Sequence, residues 1–141
     1  MLKRVPKAKV VIHEAEEKRL QKAGIPVHKK LKDGEIFQIG NVDVKSLHSP
    51  GHTEGGCCYL VENQCFTGDT LFVGQCGRTD LDGGSDEKLF SSLQRLKSLD
   101  GETLVRPGHD YGKTPVSTIA TEISSNPTMM AKTVEEFRSL P

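Results

Sequence analysis

The chain has 141 residues, and its 19 lysines and arginines balance 19 aspartates and glutamates to a formal net charge of zero. This length suits one domain, and a balanced charge without long blocks gives no reason to expect nucleic acid or an anionic membrane as a partner. No apolar run approaches the roughly 18 residues of a membrane span, and no signal-peptide core follows the basic N-terminus, so we expect a cytoplasmic protein. Its four cysteines are then reduced, buried and structural, with Cys76 as the candidate for a reactive thiol.

Hydrophobic spacing and turn residues divide the chain into short strands and helices. In chain order they predict a strand over 9–13, a helix over 14–22, strand hairpins over 35–39 with 42–47 and 58–61 with 65–67, a loop over 73–85, a helix capped by Ser85, a strand over 103–105, and helices over 116–124 and 133–140. This order predicts an α/β (α+β) fold with a mixed sheet that helices cover on one side. The other sheet face lacks a partner, so we expect it to drive dimerisation or aggregation.

Three good metal ligands stand on glycine-flanked turns, each a few residues after an apolar strand. They are His52 in SPGHTEGG, Asp69 in FTGDT and His109 in RPGHDY. Imidazole suits zinc or iron, and a carboxylate can bridge two ions. Because turns that follow neighbouring strands can meet at one sheet edge, we expect the three side chains to converge there around one or two Zn²⁺ ions or, alternatively, Fe²⁺.

The remaining histidines are expected to play other parts. His48 lies four residues before His52, but the intervening 49–51 (SPG) excludes a helix that would bring both rings to one metal. His48 is therefore expected to support the site or the core. His13 and His28 are expected to be structural or to lie at the surface.

Two further residues are candidates for substrate binding. Arg78, in GRTD, either lines the substrate pocket or forms an ion pair with Asp80 that stabilises its own loop. Tyr111 follows His109 by two residues, and it either faces the site or packs against the fold.

With these residues in hand, the chain resembles the metallo-β-lactamase superfamily, and most of all its glyoxalase II (hydroxyacylglutathione hydrolase) branch and the related persulfide dioxygenases. The resemblance covers nearly the whole chain and rests on HSPGHT at 48–53, FTGDTLF at 66–72, GRTD at 77–80, PGH at 107–109 and the stretch 117–127. It implies that His52 is a ligand of a first metal and His109 a ligand of a second. Asp69 is implied as the shared ligand and as the catalytic residue.

The family's αββα sandwich is only partly represented, and its H-x-H-x-D-H metal motif is absent from this sequence. The sequence contains no two histidines separated by one residue, and the family places this motif just upstream of a segment like 2–13. We therefore expect 1–141 to be a single metallo-β-lactamase-like domain, mainly the C-terminal half of the sandwich and incomplete at its N-terminus. A gene fragment, a wrongly assigned start and one part of a split protein are the three forms of this hypothesis.

The resemblance leaves three functional hypotheses. The first is thioester hydrolysis of the hydroxyacylglutathione type by metal-bound hydroxide, with a small molecule such as a glutathione conjugate as substrate. The second is an iron-dependent persulfide (sulfur) dioxygenase. The third is a catalytically inactive fragment or interaction partner, because three ligand positions spread over two metal sites would bind metal weakly. Under any of the three hypotheses, a homodimer is a further expected assembly.

Overall fold

The computed structural model describes residues 8–140, which form a mixed sheet with helices packed on one face. In chain order the elements are β1 (Val11–His13), a 3-10 helix (Glu14–Glu16), α1 (Glu17–Lys22), β2 (Lys29–Leu31), β3 (Ile36–Ile39), β4 (Val42–His48), β5 (Cys57–Val61), β6 (Gln64–Gly68), β7 (Leu71–Phe72), β8 (Gln75–Cys76), α2 (Asp86–Leu96), β9 (Leu104–Pro107), β10 (Ser117–Thr118), α3 (Ile119–Ser125), α4 (Pro127–Met130) and α5 (Val134–Arg138). This architecture confirms the predicted mixed α/β class. No helix within 8–140 is long and apolar enough to cross a membrane.

The main sheet has six strands in the order β10-β9-β6-β5-β4-β3. Neighbouring strands are antiparallel except for β6 and β9, which run parallel with Cys65 opposite Val105 and Gly68 opposite Pro107. A parallel pair needs a crossover connection, and here the crossover contains α2. The crossover places the ends of β6 and β9 side by side, although they are far apart in the sequence.

The hydrophobic core lies between this sheet and the helices. Leu89, Leu93 and Leu96 recur at helical spacing on α2 and are almost fully buried. They belong to one buried cluster with Cys58 and Cys65 of the central strands. Ser85 caps α2 by accepting a hydrogen bond from the Lys88 N–H, as the sequence predicted.

The opposite face of the sheet is only partly covered. Cross-strand pairing puts Val42 beside Ile39, and Phe66 beside Tyr59, on this face. Ile39 is 65% exposed, and Val42 and Phe66 are 44% exposed each. At one end of the sheet the N-terminal elements lie close to β4, because the His13 ring stacks on the His48 ring with centroids 3.8 Å apart.

Several element boundaries differ from the predicted ones. The loop predicted over 73–85 contains strand β8, which forms a small hairpin with β7 just before the loop; both strands have two residues and are too short to show periodicity. The helix predicted from residue 116 begins only at Ile119, because Ser117 and Thr118 pair with β9 and the Thr118 hydroxyl then caps the helix. Strand β2 pairs with β1 and was not predicted.

Candidate metal centre

The structure brings the three predicted ligand side chains together at one edge of the main sheet. Asp69 lies between the two imidazoles and presents a different carboxylate oxygen to each. Its Oδ1 is 2.8 Å from Nδ1 of His109, and its Oδ2 is 3.5 Å from Nε2 of His52. All three side chains keep access to solvent, with exposed fractions from 20% for His52 to 50% for His109.

The parallel strands β6 and β9 place Asp69 and His109. Gly68 ends β6 opposite Pro107, and the Gly108 N–H donates a 2.8 Å hydrogen bond to the Gly68 carbonyl. Gly68 has a φ of +51°, a left-handed conformation that glycine adopts without steric cost. The chain therefore turns sharply after β6. This turn brings the Asp69 carboxylate against the imidazole of His109, which follows the neighbouring strand β9.

The turn that carries His52 is seated on the N-terminal end of α2. The Ser85 N–H, at the helix cap, donates a 2.9 Å hydrogen bond to the Gly51 carbonyl. Gly51 has a φ of +134°, and a side chain there would lie 2.3 Å from the Leu89 nitrogen. Only glycine fits this position, so helix packing determines where the His52 turn begins.

A main-chain carbonyl fixes the orientation of the His52 ring. Nδ1 of His52 lies 2.7 Å from the carbonyl oxygen of Arg78. Because a carbonyl only accepts, Nδ1 carries the proton, and in the neutral ring Nε2 then carries the lone pair. That lone pair faces Asp69 Oδ2 at 3.5 Å, so two acceptor atoms face each other across a gap that a cation would satisfy.

Two glycines permit the close packing around Asp69. A side chain at Gly108 would lie 2.7 Å from Asp69 Oδ1. A side chain at Gly77 would lie 1.9 Å from the Asp69 carbonyl oxygen and 3.1 Å from Nδ1 of His52. The sequence indicates a turn at Gly108 and a loop around Gly77, but it does not show that these glycines keep the site free of side-chain atoms.

His109 is held among aromatic rings. Tyr111 stacks on it with ring centroids 5.0 Å apart and an interplanar angle of 5°. Phe72 meets His109 and Tyr111 edge to face, at 5.9 Å and 5.1 Å. Tyr111 therefore both packs on a site residue and remains 61% exposed beside it.

The side chain of Arg78 forms an ion pair with Asp80. The guanidinium Nε and terminal nitrogen lie 2.5 Å and 2.6 Å from the two Asp80 carboxylate oxygens. Hydrogen bonding to Arg78 lowers the pKa of the Asp80 carboxyl, and both side chains are 66% exposed. The loop-stabilising ion pair is thus formed, and the role of Arg78 in substrate binding stays a prediction.

The other histidines and Cys76 have structural partners. Nε2 of His48 lies 2.9 Å from the Glu54 carbonyl oxygen, and Nδ1 of His28 accepts from the Val10 N–H. Burial raises the pKa of the Cys76 thiol to about 11, which disfavours the reactive thiolate.

The donor set fits part of a metal centre. Within residues 8–140, no three His, Cys, Asp or Glu side chains are arranged to hold one metal ion among them. The three site residues instead form two donor pairs that share Asp69, one with His52 and one with His109. Because zinc sites take three or four protein ligands, these residues would supply only part of the coordination on each side of the carboxylate, and their role as ligands stays a prediction.

Comparisons with known proteins identify the family and the fold. The family model of the Metallo-beta-lactamase superfamily matches residues 2–109. The probable polyketide biosynthesis zinc-dependent hydrolase PksB from Bacillus subtilis is 46% identical over 86 residues, which are 60% of this chain and 38% of that protein. The human mitochondrial persulfide dioxygenase ETHE1 is 34% identical over 122 residues, 84% of this chain and 47% of its own length.

A solved structure with the same fold contains iron. The crystal structure of TTHA1623 in a di-iron-bound form superposes with a TM-score of 0.72 at 32% identity, covering 89% of this chain and 67% of that chain. The present chain spans less than half of the length of PksB and of human ETHE1.

Proposed function

The chain belongs to the metallo-beta-lactamase superfamily, and on this basis we propose that it supplies one part of the metal centre of a metal-dependent hydrolase that cleaves thioesters of the hydroxyacylglutathione type. The observation that carries the proposal is the position of the Asp69 carboxylate between Nε2 of His52 and Nδ1 of His109. One carboxylate with an imidazole on each side is a suitable donor set for two metal ions that share a ligand.

The proposed metals are zinc, as in the zinc-dependent hydrolase PksB, or iron, as in the di-iron form of TTHA1623. When bound, such ions lower the pKa of a coordinated water and polarise a substrate carbonyl. The protein's own part is to hold the donors: the Arg78 carbonyl fixes the His52 ring, and the Phe72 and Tyr111 rings hold His109. In the described arrangement His109 donates from Nδ1 to Asp69 Oδ1, and metal binding at that nitrogen would require its proton to leave or to move to Nε2.

The proposed substrate is a small molecule, with a glutathione conjugate as the first candidate. Tyr111 presents an exposed ring directly beside His109, where it can contact a bound substrate. Arg78 presents an exposed guanidinium whose partner, Asp80, is equally exposed, so an anionic substrate can exchange with that carboxylate. Both roles are proposals that substrate kinetics must test.

Metal binding is the direct test. The 141-residue chain should bind Zn²⁺ or Fe²⁺ in a titration followed by metal analysis, and Asp69→Asn should weaken binding most because it affects both donor pairs. His28→Asn is the control, since the His28 ring accepts a hydrogen bond from the main-chain N–H of Val10 and is not one of the three site residues. Equal metal content in wild type, Asp69→Asn and His28→Asn would refute the ligand assignment.

A second candidate is a persulfide dioxygenase that uses iron. The similarity to human ETHE1 extends over 84% of this chain and favours it. Oxygen uptake in the presence of glutathione persulfide, with iron as the activating metal, would support this candidate. Release of a free thiol from a thioester in the presence of zinc would support the hydrolase instead.

Inactivity is the outcome that neither enzyme hypothesis predicts. A chain that binds neither metal and turns over neither substrate would favour the inert or interaction-partner hypothesis, because one imidazole and the shared Asp69 carboxylate give each ion only two ligands and hold it weakly.

A further inference from the structure

Two buried polar side chains on the C-terminal helices contact the hairpin that precedes Gly77. Glu122, on α3, is 1% exposed, and Asn126, at the start of α4, is fully buried. Acidic and amide side chains are rarely buried this completely unless they are paired. Their hydrogen-bond partners therefore indicate what they do.

The partners are mainly main-chain atoms of the β7–β8 hairpin. Glu122 Oε2 accepts from the Gly74 N–H at 2.9 Å and from Asn126 Nδ2 at 2.8 Å. The same Asn126 Nδ2 donates to the Gln75 carbonyl at 3.1 Å, with the Phe72 carbonyl at 3.4 Å. The two side chains thus bind both strands of the hairpin and the turn between them.

This hairpin leads directly to the atoms that orient His52. Two residues after Gln75 the chain reaches Gly77, and the next carbonyl, that of Arg78, lies 2.7 Å from His52 Nδ1. The Arg78 side chain is exposed and pairs only with Asp80, so it does not hold that carbonyl in place. The β7–β8 hairpin is the element that directly precedes Gly77 and Arg78 in the chain.

We infer that Glu122 and Asn126 are positioning residues for His52: they hold the β7–β8 hairpin so that the Arg78 carbonyl keeps the proton on Nδ1 and the lone pair of Nε2 toward Asp69. This inference rests on the proposed metal centre for its functional meaning. Outer hydrogen-bond partners that orient a ligating imidazole typically change metal affinity by about 10- to 100-fold when they are removed.

The sequence alone gives no sign of this link. Glu122 and Asn126 are separated from His52 by more than 65 residues, and they touch no predicted ligand. A polar pair at i and i+4 on a short helix suggests a surface contact. Only the tertiary structure shows that both side chains point inward to the hairpin.

The test is Glu122→Gln, which keeps the size of the side chain but places an amide NH₂ against one of its two donors. Two readouts are used: Zn²⁺ affinity, and the tautomer of His52 from imidazole ¹⁵N chemical shifts in the metal-free chain at about pH 8, where an ordinary imidazole is neutral. Glu135→Gln, an exposed carboxyl on α5, is the chemical control. Leu96→Val, a buried substitution at the end of α2, is the stability control.

We expect Glu122→Gln to lower Zn²⁺ affinity about tenfold or more and to give His52 a mixture of tautomers. Both controls should keep the single Nδ1–H tautomer. A Glu122→Gln chain with a wild-type tautomer and affinity would overturn the inference, and so would a Leu96→Val chain that shifts the tautomer equally. If the wild type binds no Zn²⁺, the proposed function fails, while the tautomer still decides whether Glu122 positions His52.

Discussion

Gly77→Ala tests whether the close packing behind Asp69 is required. The new Cβ would lie 1.9 Å from the Asp69 carbonyl oxygen, about 1.5 Å inside the 3.4 Å at which ordinary contact begins. Both partners are main chain, so no flexible side chain can move aside, and either the Gly77 loop or the Asp69 turn must shift. Overpacking of this kind costs about 3 kcal/mol, which lowers the Tm of a chain of this size by roughly 10 °C.

The same shift should also weaken metal binding. The Cβ would lie 3.1 Å from His52 Nδ1 and would push apart the ring and the carbonyl that orients it, so we expect at least a tenfold loss of Zn²⁺ affinity. Gly40→Ala is the control, because nothing lies within 4 Å of its Cβ and its φ of +61° adds only backbone strain, about 1 kcal/mol. Thermal unfolding and Zn²⁺ titration of both variants check this. A Gly77→Ala chain no less stable than Gly40→Ala, with wild-type affinity, would show the reasoning to be wrong.

Other regions of the chain give four further predictions. Burial first, and then the neighbouring His48 imidazole, lower the pKa of His13 below 6.5, so the free energy of unfolding should fall as the pH drops below 6.5. Urea unfolding should therefore show a smaller difference in stability between pH 5.5 and pH 7.5 for His13→Phe than for the wild type. The Cys76 thiol, with a pKa raised to about 11, should react with iodoacetamide at pH 8 far more slowly in the folded chain than in urea, as mass spectrometry would show; equal rates would contradict its burial. Arg78→Ala should leave the midpoint of urea unfolding close to that of the wild type and leave Zn²⁺ affinity unchanged, because its ion pair is exposed and the main-chain carbonyl remains. Phe66→Lys on the open sheet face should reduce concentration-dependent self-association in sedimentation experiments; a wild-type chain that is monomeric at all concentrations would refute this expectation.

Strands with clear alternation and helices with strong caps could be predicted from the sequence. The hairpin of β3 and β4 has Gly40-Asn41 at its turn, and α2 has both Ser85 and a repeating leucine face. Short elements could not be predicted in this way. Strands β2, β7, β8 and β10 have two or three residues each, and they exist because a neighbouring strand or helix holds them.

The sequence predicted which three residues meet at the candidate site, but it did not predict what supports them. His52, Asp69 and His109 stand on turns whose glycines and preceding strands are visible in the sequence. The Arg78 carbonyl that orients His52 has no sequence signal, because every residue has a carbonyl and only the tertiary structure selects one. For the same reason, the sequence predicted a role for the Arg78 side chain, whereas its main-chain carbonyl makes the contact with His52.

The parallel pairing of β6 with β9 also has a consequence for how the chain folds. Asp69 and His109 are 40 residues apart in sequence, so their encounter must wait until the long crossover has closed, at an entropic cost that local turns do not carry. The two residues should therefore meet late in refolding, after the β3–β6 meander has formed. A metal added to the refolding chain would then report the last stage of assembly rather than start it.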